Sequence, residues 1–235
     1  MAAEKDRDPS AVDMKPGRLE AFTDGVFAIA ITLLVLNLEV ESSRDLGHEL
    51  LEMWPSLIAY VVSFLIIGVI WMNHHLMFHY ITRVDRPLLI LNLLMLMCVA
   101  FLAWPTAVLA DAVHTGESEG TAAALYGGTL VVGGIFFNAI WYYASSGHRH
   151  LGRHITPEQA ANIRRKFLLG PVLYLVAAAV GLFSVEISLI IYALLLTGYM
   201  FEAGAGRTRS GHQTSADSEP AGASADSEPT GAKPV

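Results

Sequence analysis

Three groups at the head of the first apolar run could do chemistry together. Arg18, Phe22 and Asp24 precede a stretch that runs to Leu36 with Thr32 as its one polar interruption. A second group, Trp71, Asn73, His74, His75 and His79, sits near the end of the next apolar run, and Asn92 stands near the start of the third. A carboxylate inside or at the edge of a membrane is costly and needs a donor. Arg18, the imidazoles, the Trp71 indole and the Asn92 amide can all donate to Asp24. The chemistry this implies is a hydrogen-bonded network locking three helices together. Trp71, His74, His75 and Phe78 share one helical stripe at offsets of three, four and seven.

The element that must position Asp24 is a helix, and its faces differ. At 100° per residue, Phe22, Gly25, Ile29, Thr32, Leu33, Leu36 and Val40 fall on one stripe. Asp24, Phe27, Ala28, Ile31 and Val35 fall on the other side. One side can line a pore or a seam between subunits while the other packs on neighbouring helices; ordinary packing or lipid contact for both faces is the plainer alternative.

The whole chain is built on such runs. It has 235 residues, only 16% of them charged, and a mean hydropathy of +0.45, too apolar for an ordinary soluble domain. Apolar runs of this length are membrane-span candidates, expected at about 20–40, 55–82, 87–110, 121–145, 167–184 and 185–204. The fold class expected is therefore an all-α integral membrane protein with six transmembrane helices. Residues 1–17 read as a cytoplasmic tail, 18–204 as the membrane domain, and 205–235, rich in Ser, Ala, Asp, Glu and Pro, as a disordered cytoplasmic tail. Thr156 reads as a helix N-cap with Pro157 at the first position. Gly127, Gly128, Gly133 and Gly134 allow close helix contact in the fourth span. The polar N-terminus does not read as a cleavable signal peptide, and the lone Cys98 permits no disulfide within one chain.

Charge sets the orientation. With both termini inside, every Lys and Arg except Arg44 falls on the cytoplasmic side, a strong positive-inside bias. The outer loops then carry carboxylates such as Glu41, Asp45, Glu49, Asp111 and Glu117. An acidic outer mouth raises local cation concentration, although outer loops must be hydrophilic in any case.

Arg18, Phe22, Thr23 and Asp24, followed by Gly25 to Leu34, resemble the first-helix signature of the transmembrane protein 175 family, the potassium-permeable channels of lysosomes and prokaryotes. Thr23 stands where that signature has Ser, which keeps the hydroxyl and adds a methyl. WMNHH at 71–75 and LLILNLL at 88–94 are also similar to family stretches. The resemblance implies a homotetramer with the first helix of each subunit around a central pore. It implies Ile29 as the narrowest layer, with Leu33 and Leu36 above it and Thr32 at the stripe's edge. Arg18, Phe22, Thr23, Asp24, Trp71, His74, His75 and Asn92 would form the structural or gating network; which histidine makes the main contact with the first helix stays open. The implied partners are potassium and other monovalent cations, the lipid bilayer and further copies of the chain, in the plasma membrane of a prokaryote. No cofactor is implied; potassium is cargo.

Other signals are weaker. His148, His150 and His154 lie in a basic loop with spacing that does not share one helix face, a poor metal site. No TVGYG-like segment, phosphate loop or catalytic set is present in the sequence, so an enzyme and a carbonyl-lined potassium filter are both disfavoured, and nucleic acid is not an expected partner. The reading is a potassium-preferring cation channel with an Ile/Leu constriction. The alternative is a proton-coupled or small-solute transporter using Asp24, His74 and His75 as relay groups.

Overall fold

A computed structural model describes residues 16–38, 46–148, 150–152 and 155–198. Val40, residues 41–45 of the first loop, His154 and nearly all of both tails lie outside the described residues. Of the two units into which the chain divides, Met1–Thr197 and Gly198–Val235, the second is described only at Gly198.

The architecture is helical. α1 spans Pro16–Leu33 and tightens into a 3-10 turn at Leu34–Asn37. α2 is the short helix Leu46–Glu52, and α3 spans Trp54–Tyr80. The third apolar run is broken into α4, Arg86–Phe101, and α5, Ala103–Thr115. α6 spans Glu119–Ser145, α7 Pro157–Gly181 and α8 Val185–Gly198. Among the described residues four stretches are long and apolar enough to cross a membrane: Pro16–Asn37, Trp54–Tyr80, Arg86–Thr115 and Glu119–Ser145. The two expected spans near the C-terminus differ from that pattern. α7 begins at Pro157 and carries Arg164, Arg165 and Lys166 within the helix, and α8 as described is shorter than a full span. Pro16 and Gly17, expected in the tail, already belong to α1.

Local chemistry explains the boundaries. Asp85 caps α4 by accepting from the Leu88 amide at 3.2 Å, with Pro87 in the first turn. Thr156 caps α7 as the sequence predicts, and Gln159 returns the bond to complete a capping box. Gly116 closes α5 with φ of 71°, a left-handed cap that glycine adopts without steric cost. The third run breaks before Pro105, which lacks the amide that would bond the Phe101 carbonyl. Pro171 leaves the Phe167 carbonyl without its helical donor in the same way, yet α7 continues. Asn138 of α6 donates to that carbonyl at 3.1 Å.

α6 packs between α4 and α7, and α1 rests on α3 and α4. Of the four glycines expected to allow close contact in α6, Gly128 meets nothing within 4 Å, and the other three face α7 or α4. A Cβ on Gly127 would strike Ala178 of α7, and one on Gly134 would lie 2.7 Å from the Pro171 ring. One on Gly133 would lie 3.3 Å from Cys98 of α4. Where lipid tails are as apolar as the side chains, such close approach supplies the dispersion that holds helices together. A buried hydroxyl cluster adds polar links, with Ser63 of α3 bonded to Thr106 of α5 at 2.9 Å and to Tyr126 of α6 at 3.0 Å. On α8, Ser188 donates to the Ala177 carbonyl at 2.8 Å. The α6–α7 connection is tied to the α3–α4 turn: the Thr82 amide donates to His150 and the Gly152 amide to Tyr80, around a single bridge between Ile81 and Leu151.

Candidate functional site

α1 sits at the edge of the subunit. Its buried residues are Leu19, Thr23, Phe27 and Ala30, continued by Leu34 in the 3-10 turn, at spacings of four, four, three and four. That single stripe faces α3 and α4. The stripe of interest stands open: Phe22 is 52%, Ile29 61%, Leu33 40% and Leu36 66% exposed. A row of branched apolar side chains with no partner in the subunit needs lipid or another copy to cover it. Thr32 is also exposed, and its hydroxyl donates back to the Ile29 carbonyl at 2.9 Å. Its proton is occupied there, and its lone pairs remain available.

The opposite side does not pack inward as a unit. Phe27 is buried, but Asp24, Ala28 and Val35 are exposed and Ile31 is half-buried. The expected single network around a buried Asp24 therefore separates into two links. The first is buried. Asn92 of α4 donates from Nδ2 to the Thr23 hydroxyl at 2.9 Å, and its Oδ1 lies 2.9 Å from His74 Nε2. With Nδ2 used as donor, Oδ1 accepts and His74 donates. The His74 ring also stacks on Phe78 at 4.3 Å and tilts against Phe27 at 5.9 Å. Thr23 and Asn92 have no exposed surface.

The second link is open. Trp71 donates its indole N–H to Asp24 at 2.8 Å, with Asp24 exposed and Trp71 39% exposed. His75 stacks on Trp71 and reaches Glu20 at 3.9 Å. His74 and His75 thus contact the first helix by different routes, His74 through Phe27 and the Asn92 bridge, His75 through Glu20. Arg18 is exposed and forms no ion pair among the described residues. Phe22 is exposed on the apolar stripe and away from both links.

Sequence reasoning missed two amide contacts. One is Asn138 at the Phe167 carbonyl, which Pro171 foretells once the two helices are known to be neighbours. The other is Asn37, whose Nδ2 donates to the Ala103 carbonyl at 2.9 Å. Among the described residues no group of His, Cys, Asp and Glu could hold a metal ion. His150 instead lies 3.4 Å from Asp85, which also accepts from the Tyr143 hydroxyl at 2.6 Å.

Known proteins resemble this chain in sequence and fold. Residues 18–102, which carry both links and the open stripe, match the family described as the endosomal/lysosomal potassium channel TMEM175. A potassium channel of Streptomyces collinus is 43% identical over 79% of this chain and 91% of its own length. The crystal structure of a lysosomal potassium-selective channel TMEM175 homologue from Chamaesiphon minutus superposes with a TM-score of 0.72, at 36% identity over 80% of this chain and 97% of that one. A chicken endosomal/lysosomal proton channel TMEM175 is 33% identical over 53% of this chain and 27% of its own length. Identity at this level over nearly the full length of a bacterial relative leaves one assignment: the chain belongs to the TMEM175 family, a family of ion channels and not of enzymes.

Proposed function

We propose that the chain is the subunit of a potassium-preferring cation channel, with the open stripe of α1 lining the pore. The observation that carries this reading is the exposure of Ile29, Leu33 and Leu36 on a helix otherwise anchored to its own subunit. One copy of α1 cannot surround an axis, so several subunits must assemble; the family resemblance favours four, each crossing the membrane six times. Ile29 forms the narrowest layer, with Leu33 and Leu36 outside it and Thr32 at the edge. A narrow apolar ring gates by shedding water. The bacterial relatives named as potassium channels support the choice of cation. The positive-inside bias supports cytoplasmic termini in a prokaryotic plasma membrane.

A proton-coupled transporter would need Asp24 and the imidazoles in one relay. Asp24 and His74 bond to different partners, Trp71 and Asn92, which favours the channel. The experiment is potassium-gradient flux in liposomes with sodium as competitor. Ile29→Asn is expected to raise flux and lower potassium-over-sodium discrimination, because an amide holds water where a branched alkyl group does not. Ile31→Asn, on a different face, is expected to reduce folding yield instead. Unchanged flux and ratio in Ile29→Asn, with altered values in Ile31→Asn, would place the pore on another face.

A further inference from the structure

α1 is held at its inner end by two side-chain links, through Thr23 and Asp24. Its outer half offers only two polar side chains, Thr32 and Asn37, and the Thr32 hydroxyl turns back on its own helix. Asn37 is the one that reaches another element. It ends the 3-10 turn Leu34–Asn37 and donates to the carbonyl of Ala103, the first residue of α5. Ala103 follows directly on the break between α4 and α5, two residues before Pro105.

The inner half of α1 and the 3-10 turn that follows it are therefore fixed to the two halves of the same broken run, Thr23 to α4 and Asn37 to the start of α5. Fourteen residues apart, these anchors lie about 20 Å from each other along the axis. Between them stand Ile29, Leu33 and Leu36. A 3-10 turn winds more tightly and rises further per residue than an α-turn, so its rotation sets the direction in which Leu36 points. Leu34, 0% exposed, wedges the same turn against the subunit.

We infer that Asn37 is a positioning residue: its bond to Ala103 holds the tightened outer turn of α1 and so fixes the Leu36 layer. This rests on the channel reading, since it assigns a control point to the same stripe. A change of angle at the α4–α5 break moves Ala103, and the Asn37 amide carries that movement to the outer end of the pore helix.

The test compares Asn37→Leu, which keeps the branched shape and loses the donor, with Asn37→Gln, which keeps the amide. Asn37→Ser, too short to span the bond, replaces the leucine variant if that one does not assemble. Each is reconstituted and assayed for potassium and sodium flux beside the unaltered protein, with oligomer size and melting temperature recorded. The expected result is an intact oligomer whose potassium-over-sodium ratio falls about fivefold in the variants lacking a donor, the scale on which one interhelical hydrogen bond shifts a two-state equilibrium, with the ratio restored in Asn37→Gln. An unchanged ratio in an assembled donor-less variant overturns the inference, as does an equal loss in Asn37→Gln. An unaltered protein that passes no cation, or passes sodium as readily as potassium, overturns the channel reading itself and this inference with it.

Discussion

Thr23 and Asp24 are adjacent in the chain, and the links they make could hardly differ more in environment. The Thr23–Asn92–His74 chain is sealed inside the subunit, whereas the Asp24–Trp71 bond lies on its surface. One helical step of 100° separates the two side chains, enough to turn one toward α4 and leave the other open. The buried link has no water to fall back on, so every lost partner carries the full desolvation penalty. The open link is cheap to break in an isolated subunit, and its exposed groups remain free to meet another copy. The difference assigns internal cohesion to the first and makes the second the candidate for contacts between subunits.

Four variants sharpen or break that comparison. Asn92→Leu removes both bonds of the buried chain at once, orphaning the Thr23 hydroxyl and the His74 N–H. At about 1–3 kcal/mol per buried unsatisfied group, the loss should be roughly 2–6 kcal/mol, read as a large drop in the melting temperature of detergent-solubilised protein. Asp24→Ala should cost less, about 0.5–1.5 kcal/mol, and Trp71→Phe about the same, since each removes the same bond. A melting temperature in Asp24→Ala as low as that of Asn92→Leu would end the distinction. Loss of the oligomer with little change in subunit melting would place Asp24 at a subunit interface. An effect no larger than that is expected of Thr23→Ser, which restores the residue of the family signature. The threonine side chain has no exposed surface, so deleting its methyl should cost about 1 kcal/mol while the bond to Asn92 survives. Thermal unfolding of the serine variant at or above the unaltered protein would show that the methyl is not packed.

Much of this was legible before any coordinates. Period and apolar length located α1, α3, the third run and α6 closely, and the cap at Thr156 followed from Pro157 at the next position. Ile29, Leu33 and Leu36, which helical period groups on one stripe, are all exposed. The other side of α1 was less legible. Helical period gives the angle between two side chains but not the angle at which a neighbour stands, so Phe27 and Asp24 were grouped although only Phe27 is buried. The same limit put His74 and His75 on one stripe, where a step of 100° buries one and exposes the other.

That this is a helical membrane chain, which stretches run apolar, and which signature opens the first of them can all be read from residues close together along the chain. That Asn92 serves Thr23 rather than Asp24, that Asn138 repairs the carbonyl freed by Pro171, and that Asn37 clasps Ala103 depend on how the helices pack. Each of these is one amide meeting one oxygen across a helix interface 29 to 69 residues away in sequence. Several donors and acceptors could have satisfied the same need, and the packing of apolar faces, which brings particular helices together at a particular rotation, chose among them.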